Sequence, residues 1–210
     1  MSARSEQKRQ TRQALLDTTL QLITDGKAFT SISLREAAKG AGIVPTGFYR
    51  HFADMDSLGL ALVREVGDAF RETIRLVRHN ELEMGGLTDA SVEIFLDAVH
   101  THRSHFLFLA REQYGSSPRV RRGLRALRSD IGSDLAADLA SMPRWQHLDR
   151  PALELMADLV VKSVFATLPE LLDPDDADAT GMSPRQKIRQ QLRFIFIGGR
   201  HWAGLAPIAP

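Results

Sequence analysis

Apolar residues recur along this chain at helical spacing, and nowhere with the sustained alternation of a half-buried strand. From Thr11 to Ile23, Ala14, Leu15, Thr18, Leu22 and Ile23 fall near one face, which predicts an amphipathic helix ended by Gly26. Ser33-Leu34-Arg35-Glu36 has the S-x-x-E form of a capping box and opens a short helix that stops at Gly42. Pro45 stands where the first turn of another short helix begins, running through Gly47, Phe48, Tyr49, Arg50 and His51. Asp54 is placed to cap a long helix through about Asn80, after which Gly85-Gly86 breaks the chain. Helices over about Thr88–Arg103 and Ser104–Tyr114 follow. Ser117-Pro118 supplies an N-cap and a proline at the first helical position. Val120, Leu124, Leu127, Ile131, Leu135 and Leu139 then recur every three or four residues, the clearest helical stripe in the chain. Met142-Pro143 ends it. Another helix spans about Pro151 to Leu172, before an acidic stretch, Asp173–Asp178, that reads as a solvated connection. Ser183-Pro184 opens the last helix, to about Gly204. The pattern predicts an all-α chain of about nine helices, with neither internal repeat nor low-complexity segment.

A chain of 210 residues and 23.4 kDa suits one large domain or two small ones, and 43% hydrophobic residues suffice for a core. The absence of cysteine excludes disulfides, thiolate catalysis and cysteine-based metal sites. No run approaches 18 apolar residues, and the charged start MSARSEQKRQTRQ has no apolar segment behind it. A soluble, cytoplasmic protein without membrane insertion is expected. The formal charge of +1 hides an asymmetry. Residues 1–52 hold eight basic side chains (Arg4, Lys8, Arg9, Arg12, Lys27, Arg35, Lys39, Arg50) against four acidic ones (Glu6, Asp17, Asp25, Glu36). That leaves 19 of the 27 basic and 22 of the 26 acidic residues to the remainder. A basic first quarter on a slightly acidic remainder fits an anion-binding module joined to something else.

Two short helices separated by a glycine-containing turn match a helix-turn-helix. Leu34, Ala37 and Ala38 supply the small apolar face on which the second helix packs, and Gly42 permits the positive φ that redirects the chain. Thr46 and Gly47 are small enough for close approach to base edges, and Tyr49, Arg50 and His51 can reach phosphates or bases. Phe48 and Phe52 are expected inside. Arg50 can pair bidentately with guanine, worth about 1–3 kcal/mol of discrimination.

Ser33-Leu34-Arg35-Glu36-Ala37-Ala38, Ala41-Gly42-Ile43 and Phe48-Tyr49-Arg50-His51-Phe52 resemble the DNA-binding domain of the TetR family of bacterial repressors. Gly42 to Phe52, Asp56-Ser57-Leu58-Gly59-Leu60 and Arg111-Glu112-Gln113-Tyr114-Gly115-Ser116-Ser117 are similar to the FabR- and DesT-like subgroup, which represses unsaturated fatty acid synthesis. Val44 stands where most family members have serine, and Ser57 near their lysine, so a side-chain N-cap and one phosphate contact of the wider family are missing. The resemblance implies a DNA-binding domain over 1–53 and a ligand-binding and dimerisation domain over 54–210. It implies a homodimer on a palindromic double-stranded operator, with Thr46, Gly47, Tyr49, Arg50 and His51 at the bases and flanking backbone and Ser33 and Pro45 among the DNA-binding residues. Lys8, Arg9, Arg12 and Arg35 are expected mostly on phosphate.

In that family the last two helices form the dimer bundle, which here points to Phe194, Ile197, Gly198 and Trp202. The Gly198-Gly199 pair suits either close helix approach across a dimer or a kink. Long-chain acyl-CoA is the effector that the subgroup implies, with no cofactor. Phe95, Phe106, Phe108, Leu109, Val160, Val164 and Phe165 suit either an acyl tunnel or an ordinary packed core. Burying a sixteen-carbon tail contributes about 12 kcal/mol gross, at about 0.8 kcal/mol per methylene. Discrimination between saturated and unsaturated tails would rest on fit. The run Arg119, Arg121, Arg122, Arg125 and Arg128, with Arg103 and Arg111, suits either CoA phosphates or a solvated helix face.

Other chemistry fails on spacing. His100 and His102 diverge on a helix, and neither they nor His105 have a carboxylate at metal-ligand spacing. Glu81 and Glu83 fall on opposite faces. No G-x-S-x-G, phosphate loop or dinucleotide fingerprint is present, and no enzyme activity or metal site is expected. The reading is a ligand-responsive repressor of unsaturated fatty acid synthesis genes. A repressor answering a drug or another hydrophobic molecule, a ligand-free repressor, and a helical acyl-binding protein without specific DNA binding are the alternatives.

Overall fold

A computed structural model of the chain describes residues 3–84, 89–173 and 181–204, apart from the side chains within 78–91. The described residues form nine α-helices and no strand, as the apolar periodicity predicts. They are α1 (Ala3–Thr24), α2 (Leu34–Gly40), α3 (Pro45–Phe48), α4 (Met55–Met84), α5 (Asp89–Thr101), α6 (Arg103–Glu112), α7 (Pro118–Ser141), α8 (Arg150–Leu172) and α9 (Pro184–Arg200). Single 3-10 turns lie at Phe29–Ser31 and Pro143–Trp145. Gly85-Gly86, Thr88 and residues 174–178 of the acidic stretch lie outside the described residues. No helix among the described residues is long and apolar enough to cross a membrane.

Helix starts follow their caps. The Ser33 hydroxyl accepts the Glu36 N–H while the Glu36 carboxylate accepts the Ser33 N–H, closing the capping box. Ser183 and Gln186 do the same for α9. Asp54 accepts the Ser57 N–H at 2.6 Å, Ser117 accepts that of Val120 at 3.2 Å, and Asp149 accepts that of Ala152 at 2.9 Å. Four boundaries differ from the sequence reading: α3 ends at Phe48 rather than running through His51, α4 continues to Met84 rather than about Asn80, and the outer ends of the first and last helices shift as well. The first helix begins at Ala3 rather than near Thr11, carried by Glu6 bonding Arg9 and Gln10 and by the Thr11 hydroxyl on the Gln7 carbonyl. The last ends at Arg200 rather than near Gly204.

The chain divides into two compact units, residues 1–76 with 97–127, and residues 77–96 with 128–210. The core of the first is built on Leu15, Ile23, Phe29, Phe48, Leu58, Leu62, Val66, Phe106, Phe108 and Leu109, all essentially inaccessible. Phe108 meets Phe29 edge-on at 5.9 Å, and Phe106 meets Phe70 at 5.0 Å. α4 and α7 approach closely because glycines face large side chains. A Cβ on Gly59 would fall 2.7 Å from both Phe29 and Val120, and one on Gly123 would fall 2.8 Å from Leu60.

In the second unit, Ala136, Leu139, Trp145, Leu148, Leu153, Met156 and Ala157 form a core on which Ile195 and Phe196 of α9 pack. Gly199 lets α9 approach Met156, whose sulfur would lie 2.5 Å from an added Cβ. Lys187 bonds Glu170 at 3.0 Å, tying α9 to α8, and Glu93 of α5 pairs with Arg185 and Arg189 of α9.

Candidate nucleic-acid interface

The first two helices after the amphipathic α1 form a helix-turn-helix. α2 buries Ala37 and Ala38 completely, and the chain turns at Gly42 with φ of 69°. Gly42 donates to the Lys39 carbonyl and Ile43 to the Ala38 carbonyl, so the turn satisfies the end of α2. Pro45 takes the first position of α3, behind Val44, which gives the helix no side-chain cap. Val44 is 66% exposed, an apolar side chain where a hydroxyl would ordinarily accept a helix N–H.

α3 is a single turn, and its two aromatic anchors point inward. Phe48 and Phe52 are buried with ring centroids 5.7 Å apart. Its other face is open: Pro45, Thr46, Tyr49 and Arg50 are exposed and Gly47 is half-buried. Small side chains at the helix start and longer polar ones at its end are the arrangement that admits a helix to a major groove. Lys8 on α1, Arg35 on α2 and Arg50 are exposed and have no hydrogen-bond or ion-pair partner among the described residues.

The remaining polar residues expected here are partly engaged. Arg9 pairs with Glu6 at 2.7 Å. Ser33 is occupied as the cap of α2. Arg12 donates through Nη1 to the His51 carbonyl at 3.0 Å, and its guanidinium carbon lies 4.1 Å from the Phe52 ring centroid. His51 is half-buried with Nδ1 enclosed and unpartnered. Burial, and then Lys8, Arg12 and Arg50, hold its imidazole below the ordinary histidine range. Lys27 pairs with Glu36, and with the Ser33 bonds it holds the Glu36 carboxyl down to about 2.

A second set of contacts fastens this module to α6 and α7, and no sequence signal announced it. Arg111 donates to the Ile23 carbonyl at the end of α1. The buried Glu112 carboxylate accepts the Phe29 N–H at 3.3 Å, and burial pushes this carboxyl up, opposed by that N–H and by Arg111. Ser117 donates to Asp56 at 2.7 Å and Arg119 to Asp54 at 2.9 Å, at the start of α4. Only the capping roles of Asp54 and Ser117 were readable from the sequence. The partners of Arg111 and Glu112 lie more than 80 residues away.

A family profile described as the tetracyclin repressor-like C-terminal domain matches residues 84–198, more than half of the chain. This chain is a TetR-family transcriptional regulator. Solved TetR structures share its fold. The TetR repressor FadR of Thermus thermophilus, in complex with lauroyl-CoA, aligns at a TM-score of 0.61 and 18% identity, covering 95% of this chain and 98% of the other. The fatty acid degradation regulator FadR of Bacillus halodurans aligns at 0.66 and 12%, covering 90% and 95%. A TetR-family regulator of Syntrophomonas wolfei aligns at 0.68 and 12%, covering 96% and 99%.

The residues read as a TetR effector site are distributed over both compact units. Phe106, Phe108 and Leu109 belong to the core of the first. Phe95, Val164 and Phe165 are buried and Val160 half-buried in the second. Among the arginines, Arg111 and Arg119 have the partners given above, and Arg121 donates to the Gly115 carbonyl. Arg103 is exposed, and Arg122 and Arg125 are exposed without a partner among the described residues. His105 reaches Glu65 at 3.3 Å, which in turn accepts from Gln13 at 3.1 Å.

The residues read as a dimer surface stand outward from the second unit. Phe194 is 80% exposed, Ile197, Gly198 and Trp202 are exposed, and a Cβ on Gly198 would meet nothing. Leu155 and Leu159 of α8 are exposed as well, one helical turn apart.

Proposed function

We propose that this regulator is a homodimeric repressor whose two recognition helices, α3, read half-sites of a palindromic operator about one helical turn apart. The observation that carries the reading is the recognition helix itself, with Phe48 and Phe52 buried beneath an open face of Thr46, Gly47, Tyr49 and Arg50. Lys8 and Arg35 supply unpaired charge beside it for phosphate, and residues 1–53 act as the DNA-binding domain. The exposed apolar residues Phe194, Ile197 and Trp202, with Gly198 between them, support self-association through residues 54–210.

The effector in this reading is long-chain acyl-CoA, with genes of unsaturated fatty acid synthesis as the regulated set. The similarity of the DNA-binding and Arg111–Ser117 segments to FabR- and DesT-like regulators supports it, as does the lauroyl-CoA complex of the Thermus relative. Phe106, Phe108 and Leu109 in the first unit, or Phe95, Val160, Val164 and Phe165 in the second, are the apolar candidates for the tail. Arg103, Arg111, Arg119 and Arg122 are the cationic candidates for the CoA phosphates, with Arg122 the best placed by its exposure and lack of a partner. A second reading keeps the effector and exchanges the gene set for fatty acid degradation, which the naming of the Bacillus relative favours.

The test is a titration of the protein on duplexes from promoters of both gene sets, against a scrambled duplex. It is run without ligand, with palmitoyl-CoA and with oleoyl-CoA. Opposite shifts by the two acyl-CoAs on a desaturation promoter support the first reading. A common shift on a degradation promoter supports the second. Specific binding that neither ligand moves removes the acyl effector and leaves the repressor. Equal binding to the scrambled duplex across all candidates removes the repressor reading.

A further inference from the structure

We propose that Arg12 is a positioning residue for the recognition helix, acting on the operator through the end of α3 and not through a phosphate. The proposal rests on the DNA-binding reading above and deepens it. A helix of one turn is costly to form and gains little from its own hydrogen bonds, so its geometry must come from packing. α3 spans only Pro45–Phe48, and Val44 leaves its start without a side-chain cap. Beyond it the backbone closes through Arg50 N–H on the Gly47 carbonyl, and through His51 and Phe52 N–H on the Phe48 carbonyl. Phe48 and Phe52 fix the inner side.

The outgoing carbonyl of His51 is where the next donor must come from outside, and Arg12 supplies it from α1 at 3.0 Å. A cation beside C-terminal carbonyls is favourable on electrostatic grounds as well. The same guanidinium lies over the Phe52 ring at 4.1 Å, within the range of a cation–π contact. One planar group therefore grips the segment through its backbone and through its anchor ring. A lysine ammonium carries the same charge but is a compact point without the planar fork. Lys8, Arg35 and Arg50, by contrast, are exposed and unpartnered among the described residues, as phosphate or base contacts should be.

The experiment uses the full chain, with a duplex chosen by selection from a random library and a scrambled duplex of the same composition. Affinities are measured across a salt series for wild type, Arg12→Ala, Arg12→Lys and, as the phosphate comparator, Lys8→Ala. Arg12→Ala and Arg12→Lys are expected to lose about tenfold or more on the selected duplex, with unchanged salt slope and little change on the scrambled one. Lys8→Ala is expected to lose on both and to reduce the slope by about one. Equal losses on both duplexes with a reduced slope, rescued by Arg12→Lys, would overturn the proposal. Amide hydrogen exchange provides the arm that needs no DNA. Exchange at His51 and Phe52 should quicken in both Arg12 variants while the buried part of α4 keeps its protection. If wild type selects no sequence, the repressor reading fails alone, and unchanged exchange at His51 and Phe52 then overturns the positioning role separately.

Discussion

Arg50 leaves the end of the recognition helix exposed and unpartnered among the described residues, so its guanidinium is available to the O6 and N7 edge of a guanine. Arg50→Ala is expected to lose about 1–3 kcal/mol on a selected sequence and much less on a scrambled one. Paired titrations check this, and equal losses on both duplexes would assign Arg50 to phosphate. Glu112 makes a prediction of opposite kind. Its folded carboxyl binds a proton more strongly than the unfolded chain does, so it favours folding at low pH, and that contribution is lost as pH rises through the folded value. At neutral pH the ionised, buried carboxylate is a cost. Glu112→Gln keeps an oxygen for the Phe29 N–H and is expected to be neutral, or stabilising by up to about 1 kcal/mol, near pH 7. Urea unfolding in a pH series from about 4, the ordinary glutamate range, up to neutral tests this: the variant's advantage should grow with pH, and a variant less stable at neutral pH contradicts it. Neither Glu112 nor the grip of Arg12 was legible in the sequence, because the Phe29 N–H and the His51 carbonyl lie 83 and 39 residues away. Ser33 and Glu36 were legible because a capping box closes within three residues.

At the scale of elements, helix starts with a local cap were readable and a start without an apolar stripe was not. The turns of α1 before Thr11 are polar all round, so periodicity carries no signal there, and side-chain pairs such as Glu6 with Arg9 extend the helix instead. Among the apolar anchors, Phe48 and Phe52 lie inside and the stripe from Val120 to Leu139 is buried except for the half-buried Leu135. What the stripe could not show is how closely its helix is packed. Gly59 sits in the second turn of a long helix, where glycine ordinarily costs about 1 kcal/mol against alanine. The space explains it, since Phe29 and Val120 occupy the volume a methyl group would take. Gly59→Ala is therefore expected to destabilise by about 1–3 kcal/mol despite its better helix propensity. Thermal and urea unfolding measure it, and a more stable variant would mean that Phe29 has room to withdraw.

For the molecule as a whole, Phe194, Ile197 and Trp202 leave apolar area on α9 and just beyond it that the second unit's own core does not use. Ile197→Asp places a charge there without touching that core. It is expected to yield a folded monomer by sedimentation, with the affinity for a palindrome falling toward that for a single half-site. An unchanged dimer would move the association surface elsewhere. The grip of α6 and α7 on the DNA-binding module also bears on how the protein is made. Ile23 and Phe29 await Arg111 and Glu112, and Asp54 and Asp56 await Arg119 and Ser117. During synthesis the helix-turn-helix emerges ahead of its fastenings, which leave the ribosome some sixty or more residues later. A chain cut after residue 53 is accordingly expected to show little helix by circular dichroism and no sequence preference, so a nascent regulator would stay silent at its operators until α6 and the start of α7 have been translated.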